Sequence, residues 1–258
     1  MKRLFLFLMC FVLTLSLCGC GVSSMVTQGT GYDNSKMGWG LKKVENSQPE
    51  VPSSWQQMLK KYDGYYLGNT TEKVMYLTFD EGYENGYTSQ ILDVLKKTKT
   101  PAAFFVTGPY IENEPELIKR MVEEGHIVGN HTVNHPSMPD VGNEELTNEL
   151  SDLNDSFSKL TNSNMKFMRP PMGEFSERTL ALTQKNGYKS IFWSVAYADW
   201  DTNNQKGADY AVEQVTNQFH NGAIILLHAV SADNANALER IINTAREQGY
   251  VFKSLEDL

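Results

Sequence analysis

The stretch Val74-Met75-Tyr76-Leu77-Thr78-Phe79-Asp80-Glu81-Gly82-Tyr83 decides the fold. Val74 to Phe79 is an apolar run of β-forming residues, bounded by Glu72-Lys73 before it and by glycine after it. Such a run with turn residues at both ends predicts a buried parallel strand over 74–79. Two adjacent carboxylates, Asp80 and Glu81, then stand where the strand opens into a loop. In open α/β sheets and in barrels, ligands bind at that edge. Alone, the pair reads equally well as an acidic turn. What sets it apart is the series of His, Arg and Asp residues that end later segments of the same kind.

From Val74 onward the chain alternates two patterns. Helical periodicity over 88–97, 115–124, 143–160, 176–186, 208–219 and 235–248 is interleaved with strand-like runs over 102–107, 126–129, 167–168, 190–195, 223–227 and 250–252. The first of these helices places Ile91, Leu92 and Leu95 on one face and lysines at its end, where the helix dipole favours cations. Pro101 opens a strand, and Gly125 and Gly187 end helices. Repeated β-α units imply a parallel sheet. So many units without a long break predict an α/β domain that closes towards a barrel.

Ahead of this domain, Lys2-Arg3 and the apolar stretch Leu4 to Leu17 predict a secretory signal, shorter than the roughly 20 apolar residues of a membrane span. Leu17-Cys18-Gly19-Cys20 is similar to a bacterial lipobox. It makes residues 1–20 the signal and Cys20 the lipid-bearing first residue of an exported protein on the outer face of the cell membrane. The other reading is an ordinary signal peptide and secretion to the cell wall. The three cysteines all fall in this segment, so a mature chain beginning at Cys20 has one thiol and no internal disulfide. Residues 21–36, rich in small polar residues, predict a flexible tether. Residues 37–72 carry Trp39, Trp55, Tyr62, Tyr65 and Tyr66 among polar residues and predict an N-terminal wrap on the domain of residues 73–258, with a short helix over 55–62. The net charge of −8 argues against a nucleic-acid partner.

His131-Thr132-Val133-Asn134-His135 follows the strand at 126–129. Histidines four apart fall on one face of a helical turn and can grip one metal ion, and zinc accepts imidazole nitrogen and carboxylate oxygen. Asp80 and Glu81 are the acid partners at hand. Packing explains the histidine spacing alone equally well. Arg169-Pro170-Pro171-Met172-Gly173 follows another strand, its two prolines holding the backbone rigid; taken alone it is as readily a plain turn. Asp199-Trp200 follows the run at 190–195, and Leu226-Leu227-His228 ends another. His126 and His220 lie outside this pattern, the first assigned to strand structure and the second to a helix end that favours a cation.

Taken together, Thr78-Phe79-Asp80-Glu81, His131 with His135, Arg169 with Pro171, Asp199-Trp200 and Leu226 with His228 resemble, in order, the motifs of the NodB-homology polysaccharide deacetylases, carbohydrate esterase family four. Gly38-Trp39-Gly40, Tyr66-Leu67-Gly68, Gly82-Tyr83-Glu84-Asn85-Gly86-Tyr87 and Phe105-Val106-Thr107-Gly108-Pro109-Tyr110 resemble the delta-lactam-biosynthetic de-N-acetylase branch. That branch removes the acetyl group from N-acetylmuramic acid in spore cortex peptidoglycan, enabling the muramic δ-lactam. The resemblance implies a single-domain, distorted and incomplete (β/α) barrel acting on peptidoglycan glycan strands; for the oligomeric state, which the sequence leaves open, a monomer is favoured. It implies Asp80 as general base, Arg169 as the partner that orients it, His228 as general acid and Asp199 as the group that keeps His228 protonated. It further implies His131, His135 and Glu81 as ligands of a divalent metal, zinc, with the Met172 N–H, Trp200 and Leu226 around the acetyl group.

Three positions depart from the family's pattern. Glu81 stands where most members carry a second aspartate, Ala196 where the fourth motif usually begins with aspartate, and Met172 where the muramic branch commonly has a basic residue. A second enzymatic reading moves the same chemistry to N-acetylglucosamine in peptidoglycan or a chitin-like glycan. A lipid-anchored, non-catalytic glycan-binding protein is a third reading. Against it stands the presence of Asp80, His131, His135, Arg169 and His228 together.

Overall fold

The computed structural model describes residues 31–258. The predicted signal, the lipobox with Cys20 and the start of the tether lie outside the described residues. In chain order the strands are β1 (Met37–Gly38), β2 (Gly64–Tyr65), β3 (Val74–Glu81), β4 (Ala102–Val106), β5 (Ile127–Asn130), β6 (Phe167–Met168), β7 (Glu174–Phe175), β8 (Lys189–Ile191), β9 (Ala223–His228) and β10 (Val251–Phe252). The helices are α1 (Ser53–Lys61), α2 (Thr88–Thr98), α3 (Gly108–Asn113), α4 (Pro115–Glu123), α5 (Asn143–Thr161), α6 (Glu177–Lys185), α7 (Ala208–Thr216) and α8 (Ala232–Glu247).

The main sheet runs β10-β3-β4-β5-β6-β8-β2, with β9 on the other side of β3. Every pairing between its strands is parallel. A parallel bridge from Val195 to Ile225, backed by Leu226 N donating to the Val195 carbonyl at 2.9 Å, brings the chain after β8 against the free side of β9. The sheet therefore curls round towards closure without completing a regular ring, which is the incomplete barrel the resemblance implied. Its C-terminal edge collects the ends of β3, β5, β6 and β9 in one place.

Burial explains why β3 sits at the centre. All eight of its residues are buried, as expected of a parallel strand covered on both faces. Phe79 stacks on Phe104 of β4 at 5.1 Å, and Ile91, Leu92 and Leu95 of α2 join the same core. Local signals bound α6 and α4, whereas α7 stops at Thr216, short of the expected 219, and α8 begins at Ala232, ahead of the expected 235. Ser176 and Thr179 form a capping box at the start of α6, and Gly125 follows α4 with a φ of +82°.

Four local differences matter. β3 does not stop at Phe79 but runs on through Glu81. The strand expected over 190–195 is cut to Lys189–Ile191, because the chain then leaves β6 to meet β9. Gly108–Asn113, between the expected strand at 102–107 and the expected helix at 115–124, is a short helix opened by Pro109. The segment from His131 to His135 is no helical turn: Thr132 and His135 both take left-handed φ values, +65° and +56°.

The N-terminal segment is bound to the barrel at several points. β1 pairs antiparallel with β7, β2 extends the main sheet beside β8, and α1 begins at Ser53. Trp39 lies among Phe192, Tyr66, Trp55 and Phe175, with ring centroids 4.7–6.2 Å away. The end of the expected tether is pinned as well. Asn34 accepts hydrogen bonds from Ser176 and Arg178 and donates to the Pro139 carbonyl, and Lys36 pairs with Asp140. Small polar residues here make specific bonds instead of a free chain.

Candidate active site

Asp80 and Arg169 form the base of the site. In the β3–β9 register Asp80 lies opposite His228, and Arg169 follows directly on β6. The Arg169 guanidinium is fully buried. Its Nη1 donates to Asp80 Oδ1 at 2.7 Å, Nη2 to Thr78 Oγ1 at 2.8 Å and Nε to the Ile191 carbonyl at 3.1 Å, and its Cζ lies 4.3 Å from the Phe105 ring centre. These contacts fix the guanidinium, and through it the carboxylate. Burial works against ionisation of Asp80, but the charge of Arg169, with lesser help from His131 and His228, holds its carboxyl below the usual range. Asp80 is thus a carboxylate with one oxygen tied to Arg169 and the other, Oδ2, 3.6 Å from His131 Nε2.

His131 and His135 face each other edge to face, 4.7 Å between ring centres. His131 Nδ1 is 2.8 Å from the Arg169 carbonyl. A carbonyl can only accept, so Nδ1 carries the proton and the Nε2 lone pair is left towards Asp80. Burial lowers the pKa of His131 to about 4, and burial also lowers that of His135. Both rings are therefore neutral at neutral pH, the form that ligates metals. A ligating histidine whose other nitrogen donates to a carbonyl is the arrangement that metal sites use.

Glu81 does not join them. Successive residues of a strand point to opposite faces, and because β3 runs through both acids, Asp80 and Glu81 diverge. Glu81 is wholly buried beside α2 and α3, 3.4 Å from Thr88 Oγ1, and its Oε2 has no partner. Burial, with Glu84 beside it, pushes its carboxyl well above the usual range and favours the neutral acid. The expected third metal ligand thus lies on the other face of β3 from the cavity that His131 and His135 line. Among the described residues, no three His, Cys, Asp or Glu side chains are set to hold a metal ion. The donors that fit a divalent cation are the two imidazoles, on the Asp80 side of the strand.

His228 completes the site from β9. Its Nδ1 donates to Asp199 Oδ1 at 2.7 Å and its backbone N–H to Oδ2 at 2.8 Å; Asn234 Nδ2 adds a bond to the same Oδ2 at 2.5 Å. Tyr197 holds Asn234 in turn. Burial works against the imidazolium, but the Asp199 carboxylate outweighs it and raises the His228 pKa. With Nδ1 so engaged, Nε2 is left to carry a proton.

These groups open on one cavity of about 780 Å³, a volume suited to a small ligand. Asp80, His131, His135 and His228 lie on its floor side, with Met172, Trp200 and Leu226 in its lining. Trp200 is largely exposed and its ring meets that of His228 at 6.0 Å. Met172, also exposed, holds a left-handed φ of +57° and is followed by Gly173 at +66°. A Cβ on Gly173 would lie 2.8 Å from Trp193, so the turn after the two prolines has little room to relax. Strain of this kind is commonly stored at functional sites.

Every candidate residue except Glu81 thus comes to one edge of the sheet. Unforeseen were Asn234, which steadies Asp199, and Lys43, Trp39 and Tyr83 in the cavity wall. His220 departs from its expected role: it is buried between the Gln218 carbonyl and Ser194 Oγ, and burial lowers its pKa, so it is no helix-end cation.

The family profile described as polysaccharide deacetylase matches residues 67–191. The chain belongs to the polysaccharide deacetylases, the family 4 carbohydrate esterases. It is 47% identical over 233 residues to the peptidoglycan-N-acetylmuramic acid deacetylase PdaA of Bacillus subtilis, covering 90% of this chain and 89% of that one. The solved structure of Bacillus subtilis PdaA superposes with a TM-score of 0.85 over 88% of this chain and 97% of that chain. An uncharacterised protein of Geobacillus stearothermophilus is 53% identical over 227 residues, 87% of this chain and 86% of its own.

Proposed function

We propose that this chain hydrolyses the acetamide of N-acetylmuramic acid in peptidoglycan, releasing acetate and leaving a free amine. The observation that carries this reading is the pair of opposed proton-transfer groups on one cavity: Asp80, kept ionised by Arg169, and His228, kept protonated by Asp199. The likeness to a muramic acid deacetylase over most of both chains supports the substrate class.

Amide hydrolysis needs a base for the attacking water and an acid for the departing nitrogen, the same division of labour seen wherever two environments push titratable groups apart. Asp80 Oδ2 faces the cavity and takes the proton from water. His228 Nε2 gives a proton to the sugar nitrogen as the C–N bond breaks. Trp200 and Leu226 shape the wall against the acetyl methyl, and the backbone N–H of Met172 serves the developing oxyanion. His131 and His135 would hold a divalent metal, zinc, which when bound would supply Lewis-acid polarisation of the acetyl carbonyl.

The amine so formed stands beside the lactyl carboxyl of the same sugar, the juxtaposition that muramic δ-lactam in spore cortex requires. The substrate lies outside the cell membrane, in keeping with export through residues 1–20 and anchoring at Cys20, or release to the wall.

The function is tested with glycan strands freed of peptide. The mature chain should release acetate from muramic-acid-containing strands faster than from N-acetylglucosamine oligomers; the reverse order would favour the glucosamine reading. The metal is tested by titration calorimetry on chelator-treated protein. Wild type should bind one Zn²⁺, and His131→Ala should weaken binding by more than about tenfold. Equal affinity in the two proteins would remove His131 as a ligand.

The His228–Asp199 pair makes a pH prediction. Because the Asp199 carboxylate raises the His228 pKa, activity should persist above the ordinary histidine range and fall as that proton is lost. In Asp199→Asn the carboxylate is gone while burial remains, so the alkaline limb of kcat/KM should move to lower pH. A limb that stays in place would mean another group supplies the proton.

A further inference from the structure

One cation in the cavity wall has no role in the chemistry above. Lys43 lines the cavity, and its ammonium makes no hydrogen bond or ion pair with any described residue. Its neighbour Lys42 behaves in the ordinary way and pairs with Glu50 at 2.7 Å. The two other positive centres nearby are not free: Arg169 is spent on Asp80 and His228 on Asp199. Lys43 is an exposed residue, but partial desolvation at the wall lowers its pKa, and no carboxylate among the described residues restores it. A partly desolvated ammonium without a counter-ion favours an anionic ligand.

The segment that carries Lys43 is placed by its neighbours. Trp39 N donates to the Gly173 carbonyl at 2.8 Å and its Nε1 to the Trp193 carbonyl at 3.0 Å. Lys42 and Glu50 bridge antiparallel, and Asn46 N reaches the Asn217 carbonyl. The lysine is therefore brought to the cavity wall by the N-terminal wrap. Met172, at the same opening, brings no charge.

The geometry points to Lys43 as the anion-recognising residue of this cavity, its ammonium receiving the lactyl carboxylate of the sugar being deacetylated. This rests on the muramic acid reading and adds a specificity residue to it. The lactyl ether is on the ring carbon next to the acetamide, and its carboxylate is the charge that separates muramic acid from glucosamine. A flexible four-carbon stem suits a carboxylate that itself turns about an ether bond.

The test compares peptide-free muramic strands with a free lactyl carboxylate and the same strands converted to the lactyl methylamide. Wild type should show a KM about tenfold lower for the free acid, the scale of one hydrogen bond to a charged group, with kcat little changed. Lys43→Met should lose that preference, and Lys43→Arg should keep most of it. Retention of the full preference by Lys43→Met overturns the inference. Equal turnover of both strands by wild type overturns it too, while leaving the muramic acid reading intact. Failure of wild type to deacetylate either strand overturns both.

Discussion

In Asp80→Asn, kcat on peptide-free muramic strands should fall by about 10²–10⁴-fold, the usual cost of a lost proton-transfer group. Asparagine keeps the shape of the side chain and leaves an oxygen for Arg169 Nη1, now 2.7 Å from Asp80 Oδ1. What it cannot do is accept a proton from water. The loss should therefore fall on kcat, with glycan affinity retained in a direct binding measurement. Turnover within a few-fold of wild type would remove Asp80 from its role as base.

The second large effect is on stability as well as rate. Arg169→Met takes a positive charge from a site with no exposed surface, against the rings of Phe105 and Trp193, and leaves the Asp80 carboxylate buried without its partner. Breaking a buried pair from one side costs about 3–5 kcal/mol, because the remaining charge has lost its partner. Denaturant unfolding should show a loss of that size. The surviving activity should be displaced to higher pH, because without Arg169 burial raises the Asp80 pKa. The double variant Asp80→Asn/Arg169→Met leaves no charge behind and should be more stable than Arg169→Met alone. A double variant less stable than the single one would show that the arginine acts by packing, not by charge pairing.

The sequence was most legible where β-α alternation applies. Parallel strands bring their C-terminal ends to one edge, so Asp80, Arg169 and His228, far apart in the chain, could be expected to meet. It misled where one residue decided the face. Ending the strand at Phe79 put both acids in a loop, free to point together. Two more residues of strand send Glu81 to the opposite side of the sheet. The β-branched and aromatic run had ended by then, and Asp and Glu carry no strand signal of their own. His131 and His135 meet through left-handed backbone at Thr132 and His135, a geometry that nothing in Thr-Val-Asn announces. Asn234 and Lys43 reach the site through long-range packing, which leaves no periodic trace.

The wrap shows the same division. Its aromatic residues signalled that residues 37–72 pack on the barrel, and Trp39 does so on Phe175 and Phe192. The two-residue strand β2 is too short to register as a pattern. Yet it places Gly64 and Tyr65 at the sheet edge beside Ser190 and Ile191.

The acetyl group proposed to be lost is the one on muramic acid. Muropeptide mass spectrometry after incubating the mature chain with amidase-treated peptidoglycan locates it directly. Wild type should remove acetyl from the muramic residue, and Asp80→Asn should leave the muramic acid intact. Products deacetylated on glucosamine alone would contradict that proposal.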